Sequence, residues 1–595
     1  MPRASSPISR DGSAVAEPAA RFLLNDNTRW KPPAAIGAAE RSRTMRPFRI
    51  LAAGAVALAL AVAPRFARGQ EAAAPVFGET VEVRVVNLEV VVTDRGGLPV
   101  TGLEARDFEL FVDGAEVPIG FFTEVRGGTA VGPAAAEEEP VVPGAPALAP
   151  GEPVGTSYLV FIDELFAIQR DRNQVLSRLR DDLGRLGPED RMAIVAFDGR
   201  KLSMLSSWTG SAAALDRALR DGMARPTFGL QRMAEMRNLQ NDQRIFRESR
   251  TATGGWPRTR LEAYELAYAQ RLQSHMQGVT FAAVGALRSF AEPPGRKVML
   301  LLSGGWPEDA AEYAVGEPLV VVDPSAGLAR GEEIWAPVLA TANQLGYTLY
   351  PVDVPGLAGP EIDASVAEAP SDVPTGYSYF REQSVHRTLR QLAGETGGRA
   401  LVNAERLDAL AAVAADTRSY YWLGFSPAWR GDDRGHEVEL KVRREGLRVR
   451  NRSGYVDFSR SREVSLRVES GLLLGEAPGT EPLELEVGKP RPSGFGRMKV
   501  SFTLTLRPEQ LLLLPGGDGI PAATVELRVA ALDERGGRSE VPVVPVTLRG
   551  TPAGSAGPWR YESELELRKL GHRILVAVHD PATGRLFAAG REISP

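Results

Sequence analysis

Tyr158-Leu159-Val160-Phe161-Ile162-Asp163-Glu164-Leu165-Phe166-Ala167 is an apolar run that ends abruptly in acid. A short, uninterrupted apolar run suits a strand buried on both faces, as in a parallel sheet covered by helices. The next residues fit that reading. Asp171 to Leu186 carries Val175, Leu179 and Leu183 at a spacing of four, the stripe of a helix. Gly187-Pro188-Glu189-Asp190 breaks it, and Arg191-Met192-Ala193-Ile194-Val195-Ala196-Phe197 opens a second strand. Leu202 to Trp208 reads as a short returning strand, with Thr209 capping a helix over Ser211 to Leu219. Later strands are Val298-Met299-Leu300-Leu301-Leu302-Ser303, Tyr347-Thr348-Leu349-Tyr350-Pro351-Val352 and the short Ala400-Leu401-Val402. Apolar strands alternating with amphipathic helices predict an α/β fold, a doubly wound and mostly parallel sheet over about residues 157–418. Ligands of such sheets collect beyond the carboxyl ends of the strands, where strand order reverses, and Asp163 and Ser303 both fall there.

On either side the period changes to two. Val81, Val83 and Val85, then Leu88, Val90 and Val92, alternate with polar residues, and Phe108 to Val112 alternates again before the turn Asp113-Gly114. This β module, residues 78–126, is too short to close a core alone. Tyr420 to Phe425, His436 to Val442 and Leu447 to Tyr455 resume the pattern after Ser419. Residues 419–458 are therefore expected to complete the N-terminal sandwich, with the α/β domain inserted between the two halves. The Ala/Pro/Gly-rich residues 127–156, with Glu137, Glu138 and Glu139, read as a flexible linker. Residues 459–595 alternate strand runs with Gly/Pro turns and predict a further all-β sandwich. Between 225 and 275 lies a helical insertion with Met233, Met236, Phe246, Trp256, Tyr264, Tyr268 and Leu272. It reads either as an interface element or, the favoured reading, as an amphipathic pair packed on the sheet.

The 595 residues leave room for about four domains. A net charge of −5 gives no reason to expect nucleic acid as a partner. The absence of Cys removes thiol catalysis, disulfides and thiolate-bound zinc together. Arg46 and Arg49 precede an uncharged stretch from Ile50 to Ala63, shorter than the roughly 20 residues that span a bilayer. With Ala67-Arg68-Gly69 behind it, this is the pattern of a signal peptide over residues 45–69. Residues 1–44 lack periodicity and are expected to be disordered, or to precede a true start at Met45. The expectation is an exported protein, periplasmic or secreted, with no stable membrane span after cleavage.

Several motifs, taken in order, identify a relative. They are Val91-Val92-Thr93-Asp94, Pro99-Val100-Thr101-Gly102-Leu103, Asp107-Phe108-Glu109, Gly295-Arg296-Lys297, Tyr420-Tyr421-Trp422-Leu423-Gly424-Phe425 and Val449-Arg450-Asn451-Arg452-Ser453-Gly454-Tyr455. Together they resemble the VWFA-related (von Willebrand factor A-like, VWA) family of exported bacterial proteins of acidobacterial type, over about two-thirds of the chain. The resemblance implies a VWA core whose first strand runs into D-x-S-x-S, one carboxylate and two hydroxyls that hold a divalent cation. Here Asp163 is kept, but Leu165 and Ala167 stand at the hydroxyl positions. The loop after the fourth strand, Ser303-Gly304-Gly305, lacks the family's Asp, and only Glu164 or Asp309 could supplement Asp163. A hard cation such as Mg2+ wants near-octahedral oxygen, which one carboxylate does not provide.

The expectation is accordingly no cofactor and a degenerate adhesion site, with Asp163 hydrogen-bonded to nearby loop N–H groups. The five histidines, His275, His386, His436, His572 and His579, show no metal-ligand spacing and are assigned surface or structural roles. No G-x-S-x-G, Walker loop or dinucleotide fingerprint occurs, and Gly397-Gly398 reads as a helix stop. The functional expectation is a non-enzymatic protein that binds a protein partner or scaffolds the envelope, through a face made by Asp163, Glu164, Ser303, Trp306 and Asp309. The alternative is a cation-dependent adhesion protein retaining Mg2+ or Mn2+.

Overall fold

The computed structural model describes residues 22–23, 85–131, 148–249, 258–291, 296–315, 328–355, 376–474, 480–494, 496–515, 521–534, 539, 541–549 and 558–595. The expected signal peptide and nearly all of residues 1–44 lie outside them. So do Trp256 and most of the acidic linker. Among the described residues no helix is long and apolar enough to cross a membrane.

Among the described residues, the strands ahead of the α/β region include β1 (Val86–Thr93), β2 (Phe108–Val112), β3 (Phe121–Arg126) and β4 (Thr129–Val131), with the two-residue Ala115–Glu116 returning along β2. The α/β sheet is β5 (Thr156–Asp163), β6 (Arg191–Phe197), β7 (Leu202–Thr209), β8 (Arg296–Ser303) and β9 (Tyr347–Asp353). Behind it come β10 (Tyr420–Phe425), β11 (Arg434–Val442), β12 (Arg448–Arg450) and β13 (Gly454–Asp457).

The central sheet runs β9-β8-β5-β6-β7. All neighbours are parallel except β6 and β7, so the sheet is mixed, with one antiparallel edge. The chain leaves β5 towards β6 and later returns to β8 on the other side, which puts the reversal of strand order between β5 and β8. β5 is buried at every residue. Its alternation serves two cores: Leu159 and Phe161 face one hydrophobic layer, Tyr158, Val160 and Ile162 the other. Helices α1 (Gln169–Asp181), α2 (Ala212–Ala224) and α8 (Ala409–Thr417) cover the second layer. On the first pack α3 (Gly229–Ser249), α4 (Arg258–Ser289), α5 (Ala310–Val315), α6 (Gly331–Leu345) and α7 (Gly376–Glu395). The segment read as an insertion is thus a helical pair on the sheet, with Met236, Tyr268 and Leu272 buried in the core; Tyr264 faces outward.

The two β flanks share their sheets. One runs β12-β1-β10-β3-β4, and the other brings β13 and β11 beside β2. Each sheet is antiparallel and mixes strands from both sides of the α/β domain. Tyr421 ties them to the Val100–Leu103 loop: its hydroxyl donates to the Val100 carbonyl at 2.9 Å and accepts the Leu103 N–H at 3.1 Å.

Two boundaries differ from expectation. Residues 127–156 are not wholly linker, because Gly127 and Gly128, with φ of 61° and 82°, make a turn that returns Thr129–Val131 along β3. Residues 148–156 then hydrogen-bond back to Ala130. Within 459–595, an α-helix, α9 (Arg460–Leu474), precedes the sandwich. Ser459 caps it, accepting the Arg462 N–H at 3.2 Å, and Val464, Val468 and Leu472 enter the core that α4 shares with the sheet. Beyond it stand two antiparallel sheets with their own hydrophobic core. Glu484–Val487, Arg497–Leu506 and Trp559–Arg568 form one, flanked in parallel by Phe22–Leu23. Pro521–Asp533, Val543–Arg549, His572–His579 and Leu586–Ile593 form the body of the other.

Candidate functional site

At the reversal of strand order, Asp163 ends β5 with its side chain fully buried. Its Oδ1 accepts the backbone N–H groups of Leu165 at 3.0 Å and Phe166 at 3.3 Å. Its Oδ2 accepts the Ser303 hydroxyl at 2.5 Å and the Trp306 indole N–H at 3.3 Å. Ser303 Oγ in turn accepts the Gly305 N–H at 3.1 Å. Both carboxylate oxygens and the neighbouring hydroxyl are thereby engaged within the protein. Burial pushes the Asp163 carboxyl up to about 6, and the four donors only partly offset it.

Glu164, the next residue, is also buried and points to the other face. Arg225 donates to it through Nε at 2.6 Å and Nη2 at 3.0 Å, and Arg172 Nη1 lies 3.5 Å away. Burial raises the Glu164 carboxyl, against the pull of the two guanidinium groups. Neither arginine was legible as a partner from sequence, since Arg172 sits on α1 and Arg225 just beyond α2.

Gly305 turns the next loop inward at φ 85° and lets Trp306 lie against Asp163. A Cβ on Gly305 would stand 1.9 Å from Val385 Cγ1 of α7, with no backbone freedom to avoid it. Gly305→Ala is therefore expected to lower stability by about 3 kcal/mol, read as a shift in the urea midpoint. An unchanged midpoint would mean that α7 does not seal this loop.

Of the five residues expected to form a binding face, the structure gathers Asp163, Glu164, Ser303 and Trp306 but leaves all four fully buried. They form a plug rather than a contact surface. The physical reason is the cover: Phe228 donates to the Glu164 carbonyl at 2.8 Å, Gly229 to the Ala167 carbonyl at 3.0 Å, and α7 lies over the Gly304–Gly305 loop. Asp309 stands apart at the start of α5, where its Oδ1 accepts the N–H groups of Ala311 at 2.7 Å and Glu312 at 3.1 Å. Beside it Glu308 pairs with Arg387 of α7, and both remain open to solvent. Leu165 and Ala167, at the positions where the family resemblance places hydroxyls, are buried. The oxygen set does not fit the divalent cation that the resemblance implies: one carboxylate already holding four donors, one hydroxyl with both its roles used, and two apolar side chains.

Elsewhere the histidines vary more than their scatter suggested. His386 and Asp353 form a buried pair at 3.2 Å below α7. His275 is pressed against Arg232, and burial pushes its imidazole down to about 4. His436 lies in the β sandwich among carboxylates, a grouping that sequence spacing did not reveal.

No family model and no curated protein matches the chain. Among solved structures it aligns with a pilus adhesin, SpaC from Lactobacillus rhamnosus GG, at 8% identity over 74% of this chain and 56% of that one, with a TM-score of 0.23. The three N-terminal domains of the type V pili tip protein Mfa5 from Porphyromonas gingivalis align at 9% identity over 74% and 92%, with a TM-score of 0.22. The putative ApaA protein from Bordetella pertussis aligns at 16% identity over 19% and 96%, with a TM-score of 0.11. Likeness at these scores leaves the fold and the function to be argued from the chain's own residues.

Proposed function

We propose that the chain is an exported, non-catalytic protein that binds a protein partner or scaffolds the envelope, built on a VWA-type domain whose metal-ion-dependent adhesion site is degenerate. One observation carries this reading: the Asp163 carboxylate holds four protein donors in a site closed to solvent. In a cation-dependent adhesion site the same carboxylate would need free lone pairs and a path to the partner. The doubly wound strand order, with Asp163 at its reversal, supports the VWA assignment. The leader-like Ile50 to Ala63 stretch supports export.

With the plug sealed, the partner meets the outer layer of the same end of the sheet, where Glu308, Asp309 and Arg387 reach solvent. The test is capture of envelope proteins by the tagged full chain in Mg2+ and in EDTA, with Arg387→Glu and Asp163→Asn alongside the wild type. Capture that survives EDTA and Asp163→Asn but is lost in Arg387→Glu supports the reading. Capture that needs added Mg2+ and disappears in Asp163→Asn replaces it with cation-dependent adhesion.

A further inference from the structure

His436 occupies β11, the strand between β2 and β13, and its surroundings come from the turn before β11, from β13 and from the turn after β2. The antiparallel register sets Arg434 opposite Asp457 and His436 opposite Tyr455, so His436 and Asp457 are diagonal neighbours on one face. Their side chains converge across the strand pair. Asp432 arrives from the turn just before β11, where Gly431 and Asp433 take φ of 60° and 59°. One carboxylate oxygen each from Asp432 and Asp457 and one ring nitrogen of His436 lie within 4.8 Å of one another.

Two further facts distinguish this group from an ordinary acidic cluster. Asp457 is 2% exposed, and while its Oδ2 accepts the Arg430 N–H at 2.6 Å, its Oδ1 has no hydrogen-bond partner. An unpaired, buried carboxylate oxygen is costly unless something positive meets it. The second fact is the other side of the imidazole. His436 Nδ1 is hydrogen-bonded at 2.7 Å to Asp113 Oδ2, and Asp113 Oδ1 is itself fixed by the Glu437 N–H at 3.0 Å. A carboxylate on Nδ1 sets the tautomer with the proton on Nδ1 and leaves the Nε2 lone pair free, the arrangement that orients metal-bound histidines. The ring is held flat against Tyr455, with centroids 4.9 Å apart.

We propose that Asp432, His436 and Asp457 form a divalent transition-metal site, taking Zn2+ or Mn2+, with Asp113 as the residue that positions the imidazole. One nitrogen and two carboxylate oxygens suit these ions better than Ca2+, which asks for six to eight oxygens. The cation would join the turn before β11, β11 itself and the end of β13. It would also meet the unpaired Asp457 Oδ1, and would share the Asp432 carboxylate with Arg434, whose N–H donates to Asp432 Oδ1 at 3.2 Å and whose Nε lies 3.7 Å from Oδ2. Asp433, in the same turn, accepts the Ser459 N–H at 2.8 Å and its hydroxyl at 3.0 Å, so the site adjoins the cap of α9. The site belongs to the β sandwich and is independent of the partner-binding reading.

The experiment is calorimetric titration of the chelator-treated full chain with Zn2+ and, separately, Mn2+, with Co2+ absorption as a second readout. One equivalent is expected to bind. Affinity should fall at least tenfold in Asp432→Asn, His436→Gln and Asp457→Asn, fall about 10–100-fold in Asp113→Asn, and stay unchanged in Asp163→Asn. Asp432 is exposed on a turn, so its variant keeps the test readable if Asp457→Asn folds poorly. Absence of binding in the wild type overturns the proposal, and so does binding that persists in Asp432→Asn and His436→Gln. Binding lost only in Asp163→Asn would overturn it too, and would move the cation to the α/β domain.

Discussion

Replacing Asp163 by Ala is expected to cost about 3–5 kcal/mol of stability, because the four groups that now donate to its carboxylate would be left in a dry site without an acceptor. Two of them belong to the loop after β5, and two to Ser303 and Trp306 on the far side of the strand-order reversal. The loss should therefore loosen both loops together. Asp163→Asn keeps one acceptor and removes a buried charge, so at neutral pH it should cost far less. The comparison with Asn also exposes a pH dependence. The folded carboxyl is raised to about 6 from an ordinary 3.8, so the folded chain binds this proton more tightly than the unfolded one. The corresponding stability is fully present below about pH 3.8 and is lost as pH rises through about 6. Between pH 7 and pH 4 the wild type should gain on the order of 2–3 kcal/mol relative to Asp163→Asn, with groups common to both chains cancelling. Urea unfolding of the pair at several pH values measures this. A difference that stays flat over that range would show that the carboxylate is better solvated than its position implies.

The strands around this site were legible because burial on both faces leaves an unbroken apolar run, as Leu159 to Ile162 and Val298 to Leu302 display. The place of Asp163 and Ser303 at the reversal followed from strand order, and the hydrogen bond between them realises it. What sequence could not show was the direction of the loop between Ser303 and Trp306. A surface tryptophan and a plug share the same letters, and the difference lies in Gly305 at φ 85° beneath Val385, a residue 80 positions away. The two mistaken boundaries did carry signals. Gly127-Gly128 is a turn dipeptide obscured by its Ala/Pro-rich surroundings, and Ser459 followed by Val464, Val468 and Leu472 at a spacing of four marks a capped helix. The Asp432, His436 and Asp457 group had none, since it exists only once Arg434 pairs with Asp457 across two strands.

Glu164→Ala should be as damaging as the loss of Asp163, for the opposite electrostatic reason. Asp163 gathers neutral donors, whereas Glu164 compensates two cations. Arg172 has a fully buried side chain, and although its other nitrogens reach Asn173 Oδ1 and the carbonyls of Met223 and Arg225, Nη1 makes no hydrogen bond. The charge of Glu164 at 3.5 Å is what faces that nitrogen. Burial already holds the Arg172 guanidinium below its ordinary range, and truncating Glu164 would strand it beside Arg225. Removing one member of a buried ion group commonly costs about 3–5 kcal/mol, while replacing the whole group by apolar residues of similar volume is often neutral. The expected result is a loss of that size for Glu164→Ala, a smaller loss for Glu164→Gln, and substantial recovery when Glu164→Leu is combined with Arg172→Met and Arg225→Met. A double-mutant cycle between Glu164 and Arg225 should give a coupling above about 2 kcal/mol, beyond the range of exposed pairs. A coupling below about 1 kcal/mol would mean that water reaches the pair and that the end of β5 is open rather than sealed. That outcome would also return Glu164 to the surface where a partner could meet it.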